Sequence, residues 1–406
     1  MDLVTLFLAL FCNFLAWFCV LRSNTRRRSA KLPPGPRPSP IIGNILQLGR
    51  NPHQSLAELS KTYGPLMSLQ LGSIYTVVVS SPELAKEVLQ KHDHVFSGRT
   101  IAAAAQVHDY HKISMAYLPV GKEWGTIRKI CKEHVFSTHR LDASQGLRRE
   151  KLQKLCDYVY RRCTGRVVNI GEAAFIRTLT LMSGRLFSVD FTDFDSDVTR
   201  EFEETIEGVA KIVGAPNIAD FFPILKMIDP QEIQRQAKFY FGEIDRSDRT
   251  SSTVEWAMTE LLRSQEMMAK AKNELKSAIA ENKQVEISDI SRLPYLQTVI
   301  KETCRYQSCR VPIIWSNPNS FEPDRFLDSR IDYKGQDFML KPSESGRRMC
   351  PDWPLANRML HLMVASLIHN FDWKFKPGMK PEDVDTEEKF GLSIPLKAIP
   401  VKPLSI

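Results

Sequence analysis

One stretch indicates most clearly the fold and chemistry of this chain: Ser343-Glu344-Ser345-Gly346-Arg347-Arg348-Met349-Cys350-Pro351. It leads directly into residues 354–368, whose apolar side chains recur at helical spacing. Cys350 is therefore predicted at a helix N-terminus with two arginines just before it. The exposed N–H groups and the positive end of the helix dipole favour a thiolate there. Such a thiolate can act as a nucleophile or as a metal ligand, and the stretch alone leaves both open.

Three further patterns lie upstream, in chain order: Trp124-Gly125-Thr126-Ile127-Arg128, Glu302-Thr303-Cys304-Arg305 and Pro323-Asp324-Arg325-Phe326. Together with Gly346, Arg348 and Cys350, they resemble the signature motifs of the cytochrome P-450 superfamily of haem-thiolate monooxygenases. Each pattern is weak by itself, because Glu-x-x-Arg occurs by chance in many helices. Their occurrence together and in the family's order makes the resemblance specific.

The likeness extends over nearly the whole chain. Residues 62–69, 78–82, 96–99 and 369–373 resemble plant microsomal terpenoid oxidases of the geraniol-hydroxylase and ferruginol-synthase type. The resemblance implies the cytochrome P-450 fold, which is mainly α with a minor β sheet.

Hydrophobic spacing indicates the same fold class. Residues 252–280 and 294–306 have the apolar period of helices, and the first of these is predicted to break near Ser264-Gln265. Residues 66–79 are rich in β-branched side chains and predict a hairpin around Gly72-Ser73. The body is therefore expected to be mainly helical with a small sheet.

Composition excludes some classes of protein and indicates some kinds of partner. Of the 406 residues, 43% are hydrophobic and 25% are charged, which excludes global disorder. The net charge of +8 favours anionic partners such as membrane headgroups or an acidic protein, or it serves solubility alone. The 8 cysteines include no Cys-x-x-Cys pair and no Asn-x-Ser/Thr sequon occurs, as expected for a body in a reducing compartment.

Residues 3–21 form a long apolar run without a charge. A helix of that length rises about 28 Å, enough to cross the hydrocarbon core of a membrane. Arg22 and three arginines at 26–28 follow, so the positive-inside rule puts the remainder in the cytosol. A cleaved signal peptide is the alternative. The predicted parts are a transmembrane anchor at 1–21, a basic and proline-rich strut at 22–40 and a haem-thiolate monooxygenase domain at 41–406.

The resemblance assigns the residues around haem b. Cys350 would be the axial ligand of the iron, where thiolate donation favours cleavage of the O–O bond. Trp124, Arg128 and Arg348 would bind the haem propionates, for which an arginine fork is well suited. Gly346 belongs to the same cofactor-binding set.

Two further sets come from the same resemblance. Glu302, Arg305 and Arg325 would form a structural ion network behind the haem, without a catalytic role. Asp248 matches the acid of the family's Ala-Gly-x-Asp-Thr helix and is the catalytic candidate. The family's threonine is replaced by Arg249, which has no acceptor and is a poor proton relay.

The pattern is interrupted at several places. Ser343 and Asp352 stand where the family's cysteine motif has phenylalanine and glycine. Near residues 242–249, the apolar half of the family's oxygen-binding helix is absent. Near residues 306–314, the chain is too short to form the strands that the family places there. The fold is therefore expected to be an incomplete version of the family's.

The expected activity is insertion of one oxygen atom from O₂ into a lipophilic, terpenoid substrate. Electrons would come from NADPH through an NADPH-cytochrome reductase. The expected location is the endoplasmic reticulum membrane, with a single span and membrane lipid as a partner; nucleic acid is not an expected partner. Two alternatives remain open: a degenerate family member with impaired catalysis, and a non-enzymatic, membrane-anchored interaction protein.

Overall fold

The computed structural model describes residues 32–49, 51–162, 168–171, 173–174, 177–178, 180–181, 208, 212, 216–240, 249–280, 283–308, 314–333, 337–340, 345–375, 378–384 and 400–405. Two units are distinguished: Met1–Ala85 with Asn217–Pro230, and Lys86–Pro216 with Gln231–Ile406. The predicted anchor at 1–21 lies outside the described residues. Within them, no helix has the length and apolar character needed to cross a membrane.

Helices dominate the described part of the chain. Those of eight residues or more are α1 (Pro52–Tyr63), α2 (Lys122–Ile130), α3 (Gln145–Arg162), α4 (Ile233–Tyr240), α5 (Arg249–Arg263), α6 (Gln265–Ala278), α7 (Pro294–Ser308) and α8 (Trp353–Asn370), together with the irregular helical segment Ala104–Lys112. Shorter helical turns are Ile45–Leu48, Pro82–Lys86, Glu87–Lys91, Asp93–Phe96, Cys131–Val135, Thr138–Ala143, Ile218–Phe221, Pro223–Met227, Ile287–Ile290, Pro323–Phe326, Gly346–Arg348 and Pro381–Asp383. The strands are β1 (Leu66–Leu71), β2 (Ile74–Val79), β3 (Val168–Asn169), β4 (Phe371–Phe375) and β5 (Pro400–Ser405).

The first unit is built on the predicted hairpin. β1 and β2 pair in antiparallel fashion from Leu66↔Val79 to Leu71↔Ile74, and the turn falls at Gly72-Ser73. Gly72 has φ +56°, and a Cβ at this position would lie 2.7 Å from the carbonyl oxygen of Phe221. The turn therefore requires glycine both for its backbone conformation and for this close approach.

Part of the predicted strut belongs to the same unit. The backbone N–H of Ser68 donates to the carbonyl of Pro34 at 2.9 Å, and its hydroxyl donates to that of Pro33 at 2.7 Å. A Cβ on Gly35 would lie 1.9 Å from the carbonyl oxygen of Ser68. The proline-rich segment thus lies directly against β1, with its rigidity used for packing.

The core of the second unit lies among α5, α6, α7 and α8. α8 is buried over almost its whole circumference, as is typical of a central helix. Trp256 of α5 is fully buried and meets the ring of Tyr306 edge-on at 5.6 Å between centroids. A small antiparallel sheet of order β3-β5-β4 belongs to this unit.

The predicted mainly α class with a minor sheet is confirmed. The predicted break in the long helical stretch is also confirmed, since α5 ends at Arg263 and α6 begins at Gln265. Ser264 stands between them as N-cap, and its hydroxyl accepts from the backbone N–H of Met267 at 3.4 Å.

Candidate functional site

Cys350 lies between a tight turn and the central helix. The turn is Gly346–Arg348, and α8 begins at Trp353, so the predicted position at a helix N-terminus is confirmed. The side chain is half-buried, and its Sγ donates a hydrogen bond to Oδ1 of Asp352. Asp352 is the residue that caps α8, yet its side chain does not accept from the helix backbone. The carboxylate is directed to the thiol instead.

Gly346 starts the turn in a conformation that only glycine adopts easily. Its φ is +74°, and a Cβ would lie 1.9 Å from the carbonyl oxygen of Leu89. The turn that precedes Cys350 is thereby pressed against the helical segment Glu87–Lys91. The motif's glycine is thus explained by backbone packing.

Arg348 uses its guanidinium on main-chain carbonyls. Nε donates to Ser97 at 2.6 Å and Nη2 donates to Leu118 at 2.6 Å. Nη1 lies 3.3 Å from the carbonyl oxygens of both Met115 and Ala116. These bonds hold two loop segments to the cysteine turn, and the propionate role of Arg348 stays a prediction.

Trp124 and Arg128, on α2, lie in the same cluster. The Trp124 indole is buried and donates to the carbonyl of Met115 at 3.1 Å. Its ring centroid is 5.4 Å from Cζ of Arg348 and 5.8 Å from Cζ of Arg128, within cation–π range. Burial lowers the pKa of Arg128, and the nearby Cys350 opposes that shift. The fold therefore brings these predicted haem residues together.

A cavity of about 660 Å³ lies beside the cysteine turn. Three arginine side chains and one carboxylate line it, with apolar side chains between them: Arg99, Arg347, Arg348, Asp93, Val88, Leu89, Phe96 and Tyr117. Volumes of this order and mixed linings are typical of cofactor sites. Cys350 itself does not line this cavity, but the arginines bring positive charge to it, which suits a ligand that carries carboxylates.

The donor set can be tested against haem. In the described part of the chain, no three His, Cys, Asp or Glu side chains group to hold a bare metal ion. A porphyrin brings its own nitrogen ligands to iron, so one cysteine can serve as the protein's ligand. The thiol and its cationic surroundings fit such a group. Asp352 is the unfavourable element, because a carboxylate opposes negative charge on the neighbouring sulfur.

The predicted triad forms a buried ion network apart from the cysteine. Arg305 donates to both carboxylate oxygens of Glu302, at 2.7 and 2.8 Å, and both side chains are fully buried. Nε of Arg325 lies 3.3 Å from the same carboxylate. The backbone N–H of Glu322 also donates to it at 2.8 Å. The structural role that the resemblance implied agrees with this arrangement.

The network joins α7 to the irregular segment that follows it. Arg305 donates to the carbonyls of Pro318 at 2.8 Å and Ser320 at 2.9 Å. Its guanidinium carbon also lies 5.6 Å from the ring centroid of Tyr306 and 5.8 Å from that of Trp315. One buried cation therefore orders both the end of the helix and the chain beyond it.

The catalytic candidate is not part of either cluster. Asp248 lies outside the described residues. Arg249 is the first residue of α5, where the family pattern has threonine, and its side chain also lies outside the described set. Sequence reasoning missed Asp93, whose contact with Arg347 joins positions 254 residues apart. The one signal in the sequence is Arg347, the arginine of the cysteine stretch that the family motif does not specify.

Comparisons with known proteins agree with this site. A family model described as Cytochrome P450 matches residues 33–246, 247–313 and 309–402. Ferruginol synthase of Isodon rubescens is 45% identical over 498 positions, which cover 99% of this chain and 100% of that protein. Sugiol synthase of Salvia miltiorrhiza is 44% identical over 499 positions, with coverage of 99% and 100%. Carnosic acid synthase of Salvia pomifera is 41% identical over 487 positions, with coverage of 95% and 97%.

The aligned lengths exceed the length of this chain. An alignment of 498 positions is longer than 406 residues by 498 − 406 = 92, so the relative has stretches without a counterpart here. The family match is interrupted after residue 246 and again at 309–313. Both places fall within the stretches 242–249 and 306–314, where the sequence departs from the family pattern.

Glu302→Gln should lower the free energy of unfolding by about 3–5 kcal/mol, because it leaves the buried Arg305 without its carboxylate partner. Urea unfolding of the purified chain measures the change. Glu87→Gln is the matched control, since it removes a carboxylate from an exposed pair with Lys91 and should change stability little. Equal losses in the two variants would contradict a stabilising role for the buried network.

Proposed function

Because this chain belongs to the cytochrome P450 family, we propose that it is a haem-thiolate monooxygenase in which Cys350 is the axial ligand of the iron. The observation that carries the assignment is the cluster around Cys350. A half-buried thiol follows a turn clamped by Arg348, with Trp124 and Arg128 beside it. The family implies haem iron with a thiolate ligand, and Cys350 is the cysteine in the matching motif.

Bound haem iron with an axial thiolate supplies the activation of O₂ for insertion of one oxygen atom into an unreactive C–H bond. The chain's own residues hold and orient the group. Gly346 lets the turn approach Leu89, and Arg348 fixes the turn to the loops around Ser97 and Leu118. Arg128 and Arg348 would pair with the carboxylates of the porphyrin, as the resemblance implies.

The substrate is proposed to be a lipophilic terpenoid. This assignment rests on the relatives named ferruginol synthase, sugiol synthase and carnosic acid synthase, which align over nearly the whole chain. The loop at 101–117, which resembles the family's pocket loop, contributes buried apolar residues including Ala103, Ala105 and Val107. The apolar character of this loop is compatible with a hydrocarbon substrate.

Electrons are proposed to arrive from NADPH through a reductase that docks on the basic face after Trp124. Lys129 and Lys132 are exposed there, whereas Arg128 is turned inward against the indole. The docking charge is thus assigned to the two lysines, and Arg128 serves the interior of the site. Complementary charge of this kind mainly raises the rate of association.

We further propose that residues 1–21 anchor the chain in the endoplasmic reticulum membrane with the body in the cytosol. The support is the charge-free apolar run at 3–21 followed by arginines. In microsomes, the chain should resist extraction by alkaline carbonate while its body is digested by added protease. Release by carbonate, or a body protected from protease, would disprove this topology.

Cys350→Ser should abolish the red-shifted Soret band of the reduced, carbon-monoxide-treated protein, because serine removes the thiolate ligand. The matched control is Cys131→Ser, which changes a second half-buried cysteine near Arg128 and should keep the band. Asp352→Gly, measured in the same assay, should strengthen haem binding by removing the carboxylate beside the sulfur. A thiolate-type band that persists in Cys350→Ser would mean that another cysteine binds the iron.

A catalytically impaired family member is the second candidate. It is favoured by the positions that the relatives have and this chain lacks, and by Arg249 in place of the motif's threonine. Arg249 and the shortened stretch just before it fall where the family arranges proton delivery. A positioned proton donor typically contributes about 10²–10⁴-fold to a rate.

The two candidates differ in product formed per NADPH consumed. We expect low coupling, with most NADPH consumption ending in hydrogen peroxide, because Arg249 cannot replace the hydroxyl as a proton relay. The measurement uses the haem-loaded chain with a reductase and candidate monoterpenes and diterpenes. Arg249→Thr alone should restore little, since the apolar segment before it is also absent. Tight coupling in the unaltered chain would contradict this expectation.

A further inference from the structure

Arg347 and Asp93 form a contact that the proposed function does not use. Nε and Nη2 of Arg347 donate to the two carboxylate oxygens of Asp93 at 3.0 and 3.1 Å. The geometry is a two-bond fork, which gives directional specificity as well as charge attraction. The hydrogen bond from Arg347 lowers the pKa of Asp93, which keeps its carboxylate ionised.

The fork is the middle one of three contacts in register. Gly346 approaches the carbonyl of Leu89, Arg347 binds Asp93, and Arg348 donates to the carbonyl of Ser97. Three consecutive residues of the cysteine turn therefore meet positions 89, 93 and 97. Leu89 belongs to the helical segment Glu87–Lys91, Asp93 begins the next helical segment, and Ser97 follows that segment directly. The cysteine turn therefore contacts two successive helical segments and the residue that ends the second.

These three contacts differ in their dependence on sequence. The contacts at residues 89 and 97 are made to main-chain carbonyls, which any side chain at those positions would offer. The contact at Asp93 is made to a side chain and requires a carboxylate there. Of the three, the Asp93–Arg347 fork is the contact by which the sequence of the segment selects the register of the turn.

We propose that Asp93 is a positioning residue for Cys350: its fork with Arg347 fixes the register of the 346–348 turn and thereby the direction of the Cys350 thiol. The proposal rests on the proposed function only where it concerns iron binding. An ordinary surface ion pair would affect stability slightly and leave the cysteine unchanged. The two roles therefore predict different behaviour of Cys350 itself.

The test compares Asp93→Asn with Asp142→Asn in the full chain. Asp142 is the matched control, because it also forms an exposed cross-element pair, with Arg358 of α8 at 2.7 Å. The first readout needs no haem: the rate of iodoacetamide alkylation at Cys350, followed by mass spectrometry of its peptide. Asp93→Asn should change this rate several-fold, and Asp142→Asn should leave it as in the parent.

The second readout is haem binding. Asp93→Asn should raise the dissociation constant for haem about tenfold or more, as expected for loss of a residue that orients a metal ligand. It should also reduce the share of the thiolate-type Soret band in the reduced carbon-monoxide form. The double variant Asp93→Arg with Arg347→Asp restores the pair in reverse and should recover both readouts in part.

Unfolding midpoints separate positioning from general destabilisation. Similar midpoints for the two asparagine variants, with alkylation and haem binding altered only in Asp93→Asn, would support the proposal. Identical behaviour of Asp93→Asn and Asp142→Asn at Cys350 would overturn it. If the parent takes up no haem, the alkylation rates alone decide the matter, so failure of the proposed function is distinguished from failure of this inference.

Discussion

The guanidinium of Arg348 is the interaction on which the candidate site depends. One side chain donates to the carbonyl of Ser97 and to three carbonyls between Met115 and Leu118, and it lies over the indole of Trp124. Hydrogen bonds from a charged guanidinium are stronger than neutral ones, so they hold these loops against the cysteine turn. The cysteine turn, the loop over the site and α2 are thereby tied to one cation.

The two interruptions of the family pattern adjoin a single helix contact. α5 begins shortly after the break at residue 246, and α7 ends just before the break at 309. These helices are joined by a hydrogen bond from Thr253 Oγ1 to Gln307 Oε1 at 2.9 Å and by the edge-on rings of Trp256 and Tyr306. The helices on either side of these breaks in the family match therefore pack against each other directly.

Local patterns predicted the elements, whereas long-range contacts could not be predicted. The break at Ser264, the turn at Gly72 and the helix after Cys350 follow from capping, backbone freedom and apolar period, which act within a few residues. The Asp93–Arg347 fork joins positions 254 residues apart and leaves no periodic signal. Resemblance named the residues of the site, and only the fold showed which atoms they contact.

The chemistry available at Cys350 depends on two opposing neighbours. Arg128 places positive charge near the sulfur and favours a thiolate, while Asp352 accepts a hydrogen bond from the thiol and places negative charge beside it. A thiolate cannot donate that bond, so ligation of iron requires the Asp352 contact to be given up. The family's motif has glycine at this position, so no carboxylate contact has to be broken there before iron binds. Asp352 is therefore expected to weaken cofactor uptake, the step that must come before any substrate is oxidised.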